Sequence, residues 1–480
     1  MIKVTKLSIQ IKPSSRRMLV RPFIPSSSAQ IEHILFRVFA TPENERKRVL
    51  HSIYDRLDAS DEVVKDILLR NYKNIKNLIP SNISIPDEEK QFIGACFTQQ
   101  YALESTALFN PSIVPHPVQD KAGVTKFIIS LRAIGEGHIS SLTFMDGEID
   151  RNFTVTISKN SSIIYEPAKR EYKYERDLCI RKMTELGLIT SMNRSLFYSL
   201  PENFTLDDLD AVLNKIRHSD IDVNRTEMEK TLDSIRSLAL SNFTLDFSAG
   251  RISERAIYPA APSQQHGLED ARFVQFIEED GSKLYYATFT AYDGEHIMSE
   301  LLETTDFKKF RISTLGGSAA KNKGMALFPR KINGQYTMLG RQDNESLYIM
   351  TSDNLYFWYD TKPLMKPTYS WELIQIGNCG SPIEIDEGWL VLTHGVGPVR
   401  TYSLGAILLD KEEPWRVIGR LKEPLISPSK KEQTVYVPNV IYTCGAMVIG
   451  RTLILPYAIG DAVTTFATVS VDELVAAMKE

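Results

Sequence analysis

The chain predicts an all-β fold, a five-bladed β-propeller, with an N-terminal helical extension and a helical insertion. Three observations carry this. Four segments repeat one plan: a short apolar strand, a tight turn, a second apolar strand, a polar loop and a third strand. They begin at Ala271, Met325, Ser381 and Val437, spaced 54, 56 and 56 residues apart. Helical periodicity is confined to two stretches, residues 1–96 and 166–240. A period near 55 with three to four strands per unit is that of propeller blades.

Residues 1–96 read as a strand followed by helices. Residues 3–12 alternate as a short strand does. Thr41 then reads as an N-cap with Pro42 at the first helical position. Val49, Leu50, Ile53, Tyr54 and Leu57 follow at helical spacing, and Ser60 caps a further helix with Val63, Val64, Ile67 and Leu68 on its apolar face. Apolar stripes on helices of this length need a partner. Val49, Ile53, Leu57, Val64 and Leu68 are therefore expected to cover a blade or to join two copies of the chain as a homo-oligomer.

The propeller is assigned to residues 97–165 and 241–475. A fifth copy lies within residues 110–147, as NPSIV, KFIISLRAIGEGH and ISSLTFMDG. It starts 161 residues before Ala271, and removing about 105 for the insertion and its flanks restores the period. The insertion spans 166–240. Thr205 to Asp208 forms a capping box with Asp in place of Glu, leading into Leu209, Val212, Leu213 and Ile216. A second helix follows from Arg225 to Leu240.

Composition narrows the function classes. The 480 residues are 43% apolar and 24% charged, with net charge −4 and pI about 6.1. That is a globular composition, with no basic excess for nucleic acid or an anionic membrane surface. No run of about 18 apolar residues would span a bilayer, and the N-terminus lacks the apolar core of a signal peptide. A soluble cytoplasmic protein is expected. Cys96, Cys179, Cys379 and Cys444 form no CxxC pair, so neither a disulfide framework nor a zinc site is expected. No nucleotide-binding glycine loop is present, and no metal or organic cofactor is implied.

In an antiparallel hairpin the start of the first strand and the end of the second lie on one rim. Strand-one entrances carry Asn110, Asp270, Lys323, Ser381 and Asn439. Strand-two exits carry Arg132 with His138, Asp293, Arg341 with Asp343, His394 and Asp461. In a propeller these residues ring one mouth of the central channel, a concave polar site suited to a small hydroxylated or anionic ligand. The strongest local string is Gly267 to Arg272, with Glu269, Asp270 and Arg272 beside an apolar strand. Asp270 reads as a general acid with a raised pKa, and Glu269 equally as a structural partner of Arg272.

These strings resemble the mannoside phosphorylases of glycoside hydrolase family 130. The resemblance rests on FNPSIV at 109–114, SLRAIGEGH at 130–138, GLEDAR at 267–272, KGMALFPRKING at 323–334, GWLVLTHGVGPVRTYSLGAILLD at 388–410, YVPNV at 436–440 and PYAIGD at 456–461. It implies a five-bladed propeller as the catalytic domain. It also implies an inverting reaction in which phosphate attacks the anomeric carbon and the acid protonates the leaving oxygen through a hydroxyl of the bound mannose. The product is α-mannose 1-phosphate. The family motif reads Glu-Asp-Pro-Arg, and Ala271 stands here for the proline. By the resemblance Asp270 is the catalytic acid. Lys323 and Arg341 hold phosphate, with His394 and Arg400 as further cations. Asp461 matches a carboxylate that binds the mannose, and the rim positions and the Gly267–Arg272 string add Asn110, Arg132, His138, Glu269, Arg272 and Asp293 as candidate sugar contacts.

One enzyme carboxylate suffices if phosphate, already anionic, is the nucleophile, whereas water needs a second carboxylate as base. Glu384 stands where many family phosphorylases have a lysine, so it is the candidate base of the alternative, an inverting β-1,2-mannosidase. The leading expectation is a β-mannoside phosphorylase acting on β-1,2 linkages, with inorganic phosphate as co-substrate. A sugar-binding propeller without chemistry is the third possibility.

Overall fold

The computed structural model describes residues 2–57, 60–79, 84–159, 161–189, 193–218, 224–247, 250–429 and 437–479. Tyr436 of the YVPNV string lies outside them. Among the described residues no helix is long and apolar enough to cross a membrane.

Each repeat folds as a blade of antiparallel strands. Blade I is Ala107–Pro115, Thr125–Ile134, Ser140–Ile149 and Val155–Ile157. Blade II is Gly267–Ile277, Lys283–Tyr292, Ile297–Thr304 and Lys309–Thr314, widened by Phe243–Asp246 and Ala168–Arg170. Blade III is Ala326–Leu327, Tyr336–Gly340, Leu347–Ser352 and Asp360–Met365. Blade IV has a split inner strand, Gln375–Asn378 and Ile383–Ile385, then Gly388–Gly397, Thr401–Leu409 and Val417–Arg420. Blade V likewise splits its inner strand into Ile441–Tyr442 and Met447–Ile449, followed by Thr452–Ile459 and Val463–Ser470.

Alternating strands bury one face against each neighbour, and five apolar clusters join successive blades. Phe144 meets Phe273 between I and II, Phe276 meets Met338 between II and III, and Phe328 meets Trp389 between III and IV. Leu392 meets Leu455 between IV and V, and Ile454 meets Ile129 between V and I. The last contact closes the ring. Backbone approach is tight at Gly380, where a Cβ would lie 2.4 Å from the Cys444 carbonyl oxygen.

The structure corrects the assignment of the N-terminal strand to the extension. Val4–Ile11 is the outermost strand of blade V, pairing antiparallel with Val463–Ser470. Without it the Val463–Ser470 edge would be open, a template for aggregation. Deleting residues 1–12 should cost at least about 3 kcal/mol, since apolar side chains and a backbone ladder are both lost. Thermal melts check this, and an unchanged midpoint would show the strand to be dispensable.

The strand Thr98–Glu104, read as the start of the propeller, instead pairs with Ser14–Pro22, which also carries Ile163–Tyr165. Helices α1 (Ser28–Ala40), α2 (Glu43–Arg56), α3 (Asp61–Ile75) and α4 (Asp87–Cys96) pack on one another and on this small sheet. Thr41 caps the end of α1 rather than the start of α2, and Pro42 is the N-cap residue of α2. Leu57, Val64 and Leu68 are buried in this cluster, with Val49 and Ile53 packed against it. The stripes expected to cover a blade or to join two copies pack against one another and the small sheet.

The insertion holds α5 (Arg176–Glu185), α6 (Arg194–Tyr198), α7 (Leu206–Arg217) and α8 (Arg225–Leu240). The Thr205–Asp208 capping box forms as read. A last helix, α9 (Val471–Lys479), ends the described chain where β structure was expected, its Leu474 and Met478 buried against blades IV and V.

Candidate active site

Local backbone geometry aims the key side chains. Asn110 and Asp270 each sit at a β-bulge on the inner strand of their blade, with φ of 50° and 54°. Asn and Asp tolerate this left-handed conformation better than most residues, and a bulge re-aims the side chain it carries. The two meet: Asn110 Nδ2 donates to Asp270 Oδ1 at 2.7 Å.

Cations from several blades converge on this pair. Arg132 donates to Glu269 Oε1 at 3.0 Å and approaches Asp270 Oδ1 at 3.5 Å. Lys323 pairs with Glu269 Oε2. Glu269 thus serves Arg132 and Lys323, not Arg272 as expected. Arg272 is 3% exposed. Its guanidinium donates to the Cys379 carbonyl (2.8 Å), the Asp270 carbonyl (3.0 Å) and the Tyr442 hydroxyl (3.0 Å). With every one of these bonds inside the protein, Arg272 ties blades II, IV and V together and fixes the Asp270 backbone.

Arg341 differs from the other cations. Its partners are neutral: Nη1 lies 3.0 Å from His394 Nε2, and Gln375, with its amide oxygen facing inward, accepts from Nε at 3.1 Å. Burial, then Arg341 and Arg272, hold the His394 pKa well below its usual value despite a backbone bond at Asn378. His394 is therefore a neutral imidazole and not the cation expected. It packs against the rings of Tyr442 and Tyr402. Arg400 is exposed and donates to the Tyr402 hydroxyl at 2.9 Å, one ring removed from His394.

Burial alone would raise the Asp270 pKa. The charges of Arg132 and Arg272, the Asn110 bond and Lys323 outweigh it and hold the carboxyl below the ordinary range. This reverses the sequence expectation of a raised value. Asp461, at a φ of 50° on the exit of blade V, shows the opposite shift. Burial and the charge of Asp270 push it up to about 6, with Arg132 opposing. At pH 7 four cations, Arg132, Arg272, Lys323 and Arg341, thus face three carboxylates, Glu269, Asp270 and Asp461. The excess is positive and suits an anion.

An Asp whose folded pKa exceeds its unfolded one destabilises the fold once it ionises. For Asp461 that penalty is absent below pH 3.8, grows as pH rises, and is complete above about 6. Asp461→Asn should therefore raise stability at pH 8 by up to about 3 kcal/mol, with the gain fading toward pH 4. Melting curves across that range check it, and a pH-independent difference would contradict it.

Three expected residues are not brought to this cluster. His138 is exposed on the rim at the end of a single 3-10 turn, Glu136–His138. Asp293 closes its own turn, accepting from the backbone N–H of Glu295 (2.8 Å) and His296 (2.6 Å). Glu384 is held by Arg330 through two bonds of 2.9 and 3.0 Å and by Lys411 at 3.4 Å. The Arg330 bonds lead in keeping its pKa low. It pairs opposite Trp389, five residues along the strand from His394. That is about 17 Å at strand rise, at the far end of the hairpin. Sequence reasoning missed Tyr442 and Gln375. Tyr442 lay in a recognised inner strand, three residues after Asn439; Gln375 precedes the strand as read and gave no signal.

The comparisons with known proteins point to one family. A family model described as beta-1,4-mannooligosaccharide phosphorylase matches residues 227–480, more than half of the chain. This chain belongs to glycoside hydrolase family 130. Among family 130 relatives, the 1,2-beta-oligomannan phosphorylase of Thermoanaerobacter sp. (strain X514) is 34% identical over 229 residues, which are 47% of this chain and 75% of that protein. The beta-1,2-mannobiose phosphorylase of Listeria innocua is 30% identical over 243 residues, 48% of this chain and 64% of that one. A solved structure of Listeria innocua beta-1,2-mannobiose phosphorylase with beta-1,2-mannobiose aligns with a TM-score of 0.47 and 21% identity. It covers 79% of this family 130 chain and 93% of that chain.

Proposed function

We propose that this protein is an inverting β-mannoside phosphorylase, acting on β-1,2-linked mannosides with inorganic phosphate in the cytoplasm. The observation that carries the reading is Arg341, a partly buried guanidinium whose hydrogen-bond partners His394 and Gln375 are both neutral. A partly buried cation with no carboxylate in hydrogen-bond contact is incompletely compensated, and a phosphate oxyanion would supply that contact. Lys323 would lend its second charge from the same hairpin.

Asp270 is the proposed acid. In the free site it is ionised. A phosphate dianion beside Arg341 and Lys323 would offset their field and raise its pKa, so that the proton is taken up when the nucleophile arrives. Asn110 holds the carboxyl at 2.7 Å, and Arg272 fixes its backbone. The phosphate oxygen would attack the anomeric carbon as the glycosidic bond breaks, and the leaving oxygen would take the proton from Asp270 by way of a mannose hydroxyl. The pairing of Glu384 with Arg330 and Lys411, away from this cluster, supports phosphate over water as the nucleophile.

Incubating the protein with β-1,2-mannobiose, with and without phosphate, tests the reading. Mannose 1-phosphate is expected, formed only when phosphate is present. Free mannose at full rate in phosphate-free buffer would favour hydrolysis, and no turnover in either buffer would leave a binding module.

A further inference from the structure

A lysine that takes no part in the site above has a cavity of its own. Helix α5 of the insertion lies against the fourth strand of blade II, Lys309–Thr314, and the end of α8 closes the space between them. The cavity left there measures about 50 Å³, room for a group of a few heavy atoms. Leu178, Met183, Leu238 and Phe357 give it apolar walls, and the side chain of Lys182 lines it.

The partners of this amine are neutral. Lys182 Nζ donates to the carbonyl and the hydroxyl of Thr314. That hydroxyl is free to accept because its own proton goes to Asn242 Oδ1 at 3.3 Å, which also takes the Thr314 N–H at 2.9 Å. A neutral amine has two N–H bonds, and Thr314 satisfies both. The third N–H of an ammonium finds no acceptor among the described residues, and no carboxylate among them lies within ion-pair distance. Burial lowers the Lys182 pKa to about 7, against the charges of Cys179, Glu300 and Glu185, which act to raise it. Glu300, opposite Thr314 on the neighbouring strand, is itself pushed up to about 7 by burial. Cys179, one turn back on α5, is pushed up to about 12 and stays a thiol. Burial likewise raises the Tyr174 and Tyr356 hydroxyls. Glu175 and Arg311 complete the charges around the cavity, with Arg311 bonded to the Tyr172 hydroxyl at 3.1 Å and 3.7 Å from Glu303. A desolvated lysine held as the free amine is a nucleophile.

We propose that Lys182 is an acylation site, modified by small acyl phosphates that enter this cavity. The nitrogen lone pair attacks the acyl carbonyl carbon and a C–N bond forms. The C–O bond to phosphate breaks, phosphate leaves with that electron pair, and the amine proton passes to solvent. An acetyl group fits the space, and the exposed Arg311 stands at its edge to meet the departing phosphate. The amide keeps one N–H, so one of the two bonds to Thr314 is lost and α5 is held less firmly to blade II.

At pH 7 an ordinary lysine is a free amine in about one molecule in 2,500, whereas Lys182 is one in about half. Nucleophilicity falls with basicity, as it does for thiolates, so part of this gain is lost. Treating the intact protein with acetyl phosphate and reading each site by mass spectrometry tests the proposal. Lys182 should be acetylated at least about tenfold faster than the median lysine. Its rate should level off above about pH 8, while the other lysines gain about tenfold per pH unit. Leu178→Trp, which fills the cavity, should bring Lys182 down to the median. A rate at or below the median in the unsubstituted chain would overturn the assignment. So would a rate that keeps climbing with the others, or selectivity that survives in a folded Leu178→Trp chain. Should that variant not fold, the rate and pH profile of the unsubstituted chain decide.

Discussion

Asp270→Asn lowers turnover of β-1,2-mannobiose by at least about a hundredfold, the usual contribution of a positioned acid, while fold and sugar affinity persist. The amide keeps the shape of the carboxyl and its contact with Asn110, so binding geometry survives. What disappears is the proton and the negative charge. Losing the charge leaves Arg132 and Arg272 short of one counter-ion, which costs stability but leaves Glu269 paired with Arg132 and Lys323. Steady-state rates alongside circular dichroism and sugar titrations separate the two effects. Near-normal turnover would remove Asp270 from the mechanism.

Arg341→Ala is expected to cut kcat/KM for phosphate by at least about a hundredfold, the scale of losing one fixed donor to a developing or bound oxyanion. Mannoside affinity should change by less than about threefold. The asymmetry follows from position, because the partners of Arg341 are His394 and Gln375, whereas the Asp270 cluster is held by Arg132, Arg272 and Asn110. Glu384→Gln is the control. It weakens a half-exposed ion pair with Arg330, worth at most about 1 kcal/mol, and should leave the rate within about twofold. A Glu384→Gln enzyme that is inactive, beside an active Arg341→Ala enzyme, would reverse the assignment.

The blade plan was legible in the sequence because alternation, turn chemistry and spacing are local. So were the capping box at Thr205 and the stripes of α2 and α3. The pairing of Val4–Ile11 was not, since alternation marks a strand but not its partner, which lies at the other end of the chain. The same limit governed the site. Asn110, Asp270, Lys323 and Arg341 could be placed on one rim by counting along hairpins. The sign of the Asp270 shift could not, because it depends on Arg132, 138 residues away, lying within reach. Arg272 read as a ligand contact because it follows two carboxylates, yet its bonds go to Cys379 and Tyr442, which only the closed ring brings near. Glu384 failed for the converse reason: along the chain it stands near Asp386 and Glu387, but the decisive partner, Arg330, comes from the preceding blade.

The pairing of Val4 with Val469 also sets a clock for the nascent chain. The first strand emerges from the ribosome and must wait for some 450 residues of synthesis before its partner exists, about half a minute to a minute and a half at ordinary elongation rates. Blades I to IV have time to form one by one, but the circle stays open until Val463–Ser470 has been made. Closing so distant a contact carries a large loop entropy and makes the final step slow. Throughout that interval the first strand is unpaired and exposed to other copies of the chain. Refolding yield should accordingly fall with protein concentration more steeply than the stability of the finished ring would suggest.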